Sequence, residues 1–407
     1  MPNKIMRHWI LLFALLGSFV CNAQKNNTYP KANDPLHVKV KKYEALTLDN
    51  HWNEGTIMFQ VYHPPGGKDM PGFGSHSDLI DATGEMLVAY SCKYAITKKQ
   101  SDKKIADQVF EGILKAERVT GVPGLLSRGF YKTEEPQWFE KMWYDEWHTS
   151  SSMPGYRWLG DQSIDKLVSV FHSLGMYYEL CADLEQKEKV SGLLSRFIGK
   201  IVNDNFRIMD LDGKLTLWGN MCPDLPHNKL NSLVALAAVK VAHQITGEAR
   251  FASAYKLLID TYHYDDRQLL SNHLYPENMR HIWDDYHAVR SLYMVMKYEN
   301  NPKLLNKYRM TLNRQWHVWK DITFESESTI FYIMLYDLLT KEGKMEDPAR
   351  IEVLKNMNGH ARRMRTFKVP NKDGTKKEIK TEYDHASTAF IRNYWFGRYF
   401  GFIDPSW

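Results

Sequence analysis

The sequence predicts an all-α protein, an (α/α)6 toroid of helical hairpins with long functional loops at one pole. Three observations carry that expectation. Apolar residues recur at three- and four-residue steps almost throughout from residue 76 onward. The helical stretches come in pairs joined by very short turns. The connections between pairs are long, at 121–160, 206–229, 264–283, 318–326 and 360–384.

The elements follow in order. Leu79 to Thr97 turns near Lys98–Asp102 into Lys104 to Val119, and Leu167 to Leu180 turns near Ala182–Glu185 into Lys187 to Val202. Leu230 to Ile245 breaks at Thr246-Gly247 before Arg250 to Tyr262. Tyr286 to Tyr298 turns at Asn300-Asn301-Pro302 into Leu304 to Trp316, and Thr329 to Leu339 turns near Gly343 into Pro348 to Met357. Pro302 and Pro348 suit the first turn of a helix, where the missing N–H costs nothing. A sixth pair requires Ala386 to Tyr399 with a partner near the N-terminus. Short turns within pairs must crowd one pole, so the long connections meet at the other, and loops of that length are uncommon unless functional. An open helical solenoid is the structural alternative.

Residues 1–23 read as a signal peptide: Lys4 and Arg7 form the basic region, Trp9 to Val20 the apolar stretch, and Ala23 the cleavage position. Lipidation at Cys21 is the alternative, against which the bulk of Val20 counts. The expectation is export to the periplasm or beyond, with no membrane span. Residues 24–75 read as an N-terminal extension packing on the toroid, with a short strand at Thr56 to Tyr62, and 76–407 as one catalytic domain. The formal charge of +5 falls to +3 without Lys4 and Arg7, too mild for a nucleic-acid partner. Lys368 to Lys380 reads as a solvated loop. Without the leader three cysteines remain, Cys92, Cys181 and Cys222, an odd number at wide spacing that makes no disulfide framework, although one pair can form. Cys92 and Cys181 fall inside helical patterns as core residues.

Aromatics make up 13% of the chain, and the tryptophans concentrate in the long connections. The segment 121–165 holds Trp138, Trp143, Trp147, Trp158, Tyr131, Tyr144 and Tyr156 around Arg128 and His148. Flat rings with polar neighbours suit sugar rings, although such rings can equally fold a loop upon itself. Asp161 stands at a helix N-cap position, and Asp165 follows four residues on, over the same face. Pure capping explains Asp161 as well as a carboxylate at the ring's mouth does, and a helix N-terminus lowers a carboxyl pKa. His281, Trp283, Asp284, Asp285 and His287 form a second acidic site, richer in titratable groups than a cap requires. Hydrolysis of a glycosidic bond needs two carboxyls, and the two loops can supply one each. Trp218, Asn231 and His227 are supporting candidates, and Asp81 and Glu85, four apart at a helix start, are further ones. No HExxH, CxxC, EF-hand, phosphate-loop or nucleophile-elbow spacing occurs, so neither metal nor cofactor is expected.

Several of these stretches together resemble a known group. Gly124-Leu125-Leu126-Ser127-Arg128, Tyr156 to Asp165, Asp212 to Gly219, Leu230-Asn231-Ser232-Leu233, Lys240-Val241-Ala242 with Thr246-Gly247, and Tyr394 to Tyr399 look like six-hairpin, (α/α)6-toroid glycosidase-like proteins of Bacteroidetes polysaccharide-utilisation systems. The resemblance spans about 76–403. It implies Asp residues acting as acid and base on a glycan bearing uronic acid, as in β-glucuronidases and unsaturated glucuronyl hydrolases. Arg128 and Arg157 would then meet the substrate carboxylate. The leading expectation is an exo-acting, glucuronidase-like glycoside hydrolase using Asp161 with Asp284 or Asp285. A polysaccharide lyase drawing on Tyr156, His148, His287, Arg128 and Asn231 is the second reading, and a non-catalytic glycan binder the third. Homo-oligomerisation is left open.

Overall fold

A computed structural model of the chain describes residues 29–63, 72–74, 76–134, 147–224, 229–271, 282–319, 327–360, 362–370 and 375–407. The expected signal peptide with Cys21, and the candidates Trp138, Trp143, Tyr144, His227 and His281, lie outside the described residues.

Helices alternate between an inner and an outer layer. The N-terminal helix is α1 (Leu36–Asn50). Then α2 (Leu79–Thr97) turns directly into α3 (Gln100–Arg118), and α4 (Ile164–Leu180) into α5 (Leu184–Asn203). The next pair is α6 (Lys229–Thr246) and α7 (Ala249–Asp260), followed by the short α8 (Tyr264–Arg267). The remaining helices are α9 (Ile282–Tyr298) with α10 (Pro302–Trp319), α11 (Glu327–Thr340) with α12 (Pro348–Lys355), and α13 (Thr388–Phe400). The first member of each pair is the more apolar. On α2, Leu79, Ile80, Ala82, Met86, Leu87, Val88 and Ala89 are all buried, because neighbours cover it on three sides. Its partner α3 buries only a stripe, through Ala106, Val109, Phe110, Ile113 and Ala116.

The ring closes. In sequence, α2 packs on α4, α4 on α6, α6 on α9, α9 on α11, α11 on α13, and α13 returns to α2. This is a torus, and the solenoid alternative is set aside. Helix α1 lies against α13, so the N-terminal helix supplies the outer member of the sixth pair. A buried charge centre holds that seam: Trp395 Nε1 of α13 donates to Glu44 Oε1 of α1 at 2.7 Å, and Lys93 Nζ of α2 donates to the same carboxylate at 2.9 Å. The short turns use left-handed backbone, as at Gly247 (φ 71°), where a Cβ would be strained.

The long connections are not plain loops. Strands β1 (Trp52–Asn53), β2 (Thr56–Ile57), β3 (Gln60–His63) and β4 (Gly72–Gly74) precede α2, so the single strand expected at Thr56 to Tyr62 is two short ones. Between α3 and α4 lie β5 (Gly129–Lys132), β6 (Trp147–Thr149) and β7 (Tyr156–Leu159), an antiparallel sheet in the order β5-β7-β6 with Phe130 opposite Trp158. A hairpin of β8 (Arg207–Met209) and β9 (Leu215–Asn220) connects α5 to α6. In the stretch Lys368 to Lys380, expected as a solvated loop, residues 368–370 belong to β10 (Arg363–Pro370) and residues 376–380 to β11 (Lys376–His385), which pair as a hairpin. That hairpin extends through β3 to β4. Pairing with β3, distant in sequence, gives this Lys-rich segment its strand geometry. Cys92, Cys181 and Cys222 are buried free thiols, so the disulfide allowed by sequence is not formed. Among the described residues no helix is long and apolar enough to cross a membrane.

Burial also fixes how the fold responds to acid. His51, at the end of α1, meets the Met58 carbonyl oxygen through Nδ1 at 2.8 Å, and burial pushes its pKa down to about 4. Burial likewise pushes His385 down to about 3. Both rings are neutral in the fold, but take up protons near pH 6.5 once unfolded. Between pH 6.5 and about 4 the unfolded chain therefore binds more protons, and stability falls as pH drops through that window. Unfolding midpoints recorded from pH 7 to pH 4 are expected to decline, and His51→Asn, which keeps a neutral donor, to flatten the decline. An H51N slope equal to that of the parent protein would contradict this.

Candidate active site

Each inner helix enters the ring from the pole of the long connections, so their N-termini and first-turn acids converge on one mouth. Helices α2 and α4 come unusually close there. A Cβ added at Gly84 would lie 2.9 Å from Ser169 Oγ, so only glycine permits the approach. One turn nearer the mouth stands Lys166, only 1% exposed, an ammonium held by three carboxylates. It pairs with Asp78 at 3.1 Å, with Asp165 at 2.7 Å, and with Asp81. The ammonium is covered, while Asp81 and Asp165 keep 25% and 29% of their side-chain surface exposed.

The two acids are driven in opposite directions. Burial raises the Asp81 carboxyl, and the nearby Asp165 charge raises it further, against the pull of Lys166. Its Oδ1 is covered and has no hydrogen-bond partner among the described residues. Asp165 is also penalised by burial, but Lys166 outweighs that and holds its carboxyl below the usual carboxylate range, helped by Ser163, whose hydroxyl donates to it. Lys166 is in turn held charged: burial alone would lower it, and Asp81 and Asp165 raise it. Divergent carboxyls on one ammonium are the arrangement that separates an acid from a base.

The facing wall comes from α9, α11 and α13. Glu85, one turn below Asp81, accepts from Thr388 Oγ1 at 2.7 Å, from Tyr286 Oη at 3.2 Å and from Arg392. Arg392 also donates to the Tyr286 hydroxyl and lies 4.0 Å over the Phe331 ring, which lowers the cost of burying it. Arg290 donates to Ser169 Oγ at 3.3 Å and to His287 Nδ1 at 2.8 Å, so it ties α9 to α4. Since a guanidinium only donates, His287 Nδ1 is the acceptor. Burial pushes the Tyr286 hydroxyl up to about 12, against the pull of Arg290 and Arg392. Trp283, half exposed, stands edge-on to Tyr286 at 6.3 Å and offers a ring face at the mouth.

The residues expected from sequence divide into two groups. Asp165, Asp285 and His287 belong to this mouth, with Asp285 and His287 buried in the first turns of α9 and Asp284 half-buried beside them. Asp161 does not cap α4. The cap position is Ser163, and Asp161 precedes it in left-handed backbone at φ 53°. Its carboxylate accepts from the Leu217 N–H at 2.7 Å and lies 3.7 Å from Arg128, while its own N–H donates to Asp210. Asp161 thus ties the β5-β7-β6 sheet to the β8–β9 hairpin. Arg128 donates to the Asp161 carbonyl at 3.1 Å, and Arg157 to the Trp147 carbonyl at 3.2 Å, so both serve these loops.

Asn231 does not cap α6 either; it donates to the Asn220 carbonyl at 2.7 Å and fastens the same hairpin. Trp158 is fully buried, its ring tilted against His148 at 4.4 Å, and holds the loop together instead of facing a ligand. Tyr156 donates to Glu54 at 2.7 Å and meets Lys115 at 3.0 Å, on the side of α3. Trp147 is half-buried against Tyr131, and Trp218 is 63% exposed on its hairpin. Lys166, Ser169, Arg290 and Arg392 were missed. The signal for the cations was present: each interrupts an otherwise apolar inner-helix run, as in IDKLVSVF, YHAVRSLYMVM and AFIRNYWF. Among the described residues no group of three His, Cys, Asp or Glu side chains is disposed to hold a metal ion.

No family model matches the sequence, and no curated relative matches it. Solved structures do match in shape. A GH76 α-mannanase of Bacteroides thetaiotaomicron superposes with a TM-score of 0.51 at 12% identity, over 91% of this chain and 97% of that one. A sugar epimerase from a ruminal bacterium gives 0.52 at 12% identity, over 90% and 99%. A family 76 glycoside hydrolase from a bovine Bacteroides thetaiotaomicron strain gives 0.52 at 7% identity, over 89% and 77%. At such identities the likeness is one of fold: the chain has an (α/α)6 toroid.

Asp161→Ala removes the acceptor of the Leu217 N–H and places alanine in left-handed backbone. It is expected to cost about 1–3 kcal/mol in denaturant unfolding and to speed amide exchange at Leu217. Asp161→Asn, which retains an acceptor and tolerates that backbone, should lose less. Unaltered exchange at Leu217 in D161A would contradict the latch.

Proposed function

We propose that the chain is a glycan-cleaving hydrolase acting on a saccharide that bears uronic acid, with Asp81 as general acid and Asp165 as its charged partner. The observation that carries this reading is the pair of open carboxyls on one covered ammonium, one driven toward its protonated form and the other held ionised. Cleavage of a glycosidic bond needs those two states side by side: an acid to protonate the leaving oxygen and a carboxylate to attack or to activate water. Asp81 and Asp165 replace Asp161 and Asp284 as the favoured pair. Asp161 serves the loops, and Asp284 and Asp285 remain at the rim and wall.

Both acids touch the same Lys166 Nζ, so their separation belongs to the short class of roughly 5 Å that accompanies retention of configuration. Asp165 then attacks the anomeric carbon while Asp81 delivers its proton to the departing oxygen. Asp81, now ionised, next takes a proton from water as that water displaces Asp165 and releases the sugar. Trp283 at the mouth and Trp218 and Trp147 on the surrounding loops supply faces for sugar rings. Cations buried in the mouth suit a uronate. The basic leader expected from sequence, read as an export signal, fits a polysaccharide substrate encountered outside the cytoplasm.

The lyase reading is disfavoured by chemistry. A lyase base must take a proton from carbon, but the Tyr286 hydroxyl is pushed up to about 12 and is committed to Glu85 and Arg392. The Tyr156 hydroxyl is engaged with Glu54 and Lys115. Because the same toroid is found in a sugar epimerase, product analysis must cover isomerised as well as cleaved sugar.

Asp81→Asn and Asp165→Asn are each expected to lower kcat on uronate oligosaccharides by about 10²–10⁴. The first-formed product anomer, followed by proton NMR, should keep the configuration of the substrate. Full activity in both variants would refute the pair, an inverted anomer would refute the double displacement, and product bearing a new double bond would revive the lyase.

A further inference from the structure

A groove of about 520 Å³ runs along the outward face of α3, between the turn that joins β1 to β2 and the turn that joins α4 to α5. The apolar stripe of α3 faces inward through Val109, Phe110 and Ile113. That leaves Gln100, Lys104 and Gln108, spaced four residues apart on one face, exposed along the groove. The wall is Trp52, whose indole packs in part on the hydrophobic core and in part lines the groove. Wall and floor meet backbone to backbone. A Cβ at Gly55 would lie 2.3 Å from the Gln108 carbonyl oxygen, and one at Gly112 2.5 Å from the Gly55 carbonyl carbon. Only glycine at both places lets the turn rest on the helix, so the Trp52 ring is positioned before any ligand arrives. The carboxylates of the groove are already paired. Lys103 bonds Asp107 at 2.7 Å and Asp183 at 3.0 Å, Glu54 bonds Lys132 at 2.6 Å, and Glu111 bonds Lys189 at 3.2 Å. Gln100, Gln108 and the Trp52 indole differ: among the described residues none of the three makes a side-chain hydrogen bond.

We propose that this groove is a second saccharide site, separate from the mouth, which takes a neutral oligosaccharide on the Trp52 ring and the Gln100 and Gln108 amides. An indole offers a flat face to the C–H side of a sugar ring, and its N–H donates to a hydroxyl. A primary amide donates and accepts at once, as a hydroxyl does, so it matches a sugar without calling for charge. Gln100 and Gln108 stand about 12 Å apart along the helix axis, which suits a chain of sugar rings better than a single one. The volume falls within the range of small-ligand sites. An acidic sugar is disfavoured: Glu54, Asp107, Glu111 and Asp183 line the groove against Lys103 and Lys104, and two of these acids already share Lys103. At the edge of the groove Glu54 accepts from the Tyr156 hydroxyl of β7 at 2.7 Å, so the site adjoins the sheet that helps to build the rim. A polysaccharide held there stays close to the mouth, which raises its effective concentration. The site requires neither the uronate reading nor the pairing of Asp81 with Asp165.

The test follows the indole N–H resonances of the full chain by NMR during titration with cellohexaose, mannohexaose, xylohexaose and, as the acidic counterpart, hexagalacturonate. The Trp52 resonance is identified by its loss in Trp52→Phe. At least one of the three neutral sugars should move it saturably, and hexagalacturonate should leave it in place. Trp52→Ala should weaken binding of that neutral sugar roughly tenfold, read by titration calorimetry. The double variant Gln100→Ala with Gln108→Ala should weaken it roughly fivefold or more; its two positions lie on an exposed helix face, so it decides the matter if W52A does not fold. A Trp52 resonance unmoved by all three neutral sugars, a response to hexagalacturonate alone, or an affinity unchanged in the folded variants would overturn the site. Each of those results would leave the proposed chemistry of the mouth standing, because none of them measures cleavage.

Discussion

The ammonium of Lys166 is the interaction on which the mouth depends. A lone charge at that depth would be expelled or neutralised, and Lys166 stays because Asp78, Asp81 and Asp165 surround it. The same contacts work in the other direction. Three acids crowded at the starts of two adjacent helices would repel each other, and the shared cation lets Asp165 remain ionised beside a more protonated Asp81. Gly84 makes the arrangement feasible by letting α2 and α4 approach until one side chain spans both. Backbone contact thus comes first, the ion cluster second and the divergence of the carboxyls third.

The rest of the ring extends this principle. Charges inside the torus are tied helix to helix: Arg392 joins α13 to Glu85 of α2 and to Tyr286 of α9, and Arg290 joins α9 to α4. These bonds lie across helix seams already packed by apolar contact, so they add position more than stability. Outside the ring, Asp161, Arg128 and Asn231 perform the same service for the loops, tying the β5-β7-β6 sheet, the β8–β9 hairpin and the start of α6 into one rim. Acids in this protein therefore have two jobs, which are told apart by their partners. Asp161 meets a backbone N–H and an arginine that serves the same loop; Asp81 and Asp165 meet a buried ammonium and stay partly exposed.

The torus was legible in the sequence because hairpins leave two independent marks, helical periodicity and alternating connection length. The five pairs and their short turns follow from those marks. The sixth was harder, since α1 opens with the alternating stretch HVKVKK and buries Lys39 and Glu44, which read as surface residues. The strands in the long connections were not legible beyond one fragment. They are short, and their geometry comes from partners far along the chain, as when β3 pairs with β11. Asp165, Asp285 and His287 were legible as members of the mouth because acids and histidines collect at the starts of inner helices. Asp161 was not legible as a latch, because nothing local announces a Leu217 N–H contributed by another loop. Trp158 misled for the related reason that an aromatic loop can be its own ligand. Lys166, Arg290 and Arg392 show that a cation inside an apolar helical run signals a built interior as plainly as an acid at a helix start does.

Site-resolved titration of the aspartate carboxyl carbons by NMR addresses the opposed carboxyls most directly. The expected result is a midpoint for Asp81 above the ordinary aspartate range, one for Asp165 below it, and an upward movement of Asp165 when Lys166 is replaced by methionine. Two ordinary midpoints, or Asp165 titrating above Asp81, would contradict the account.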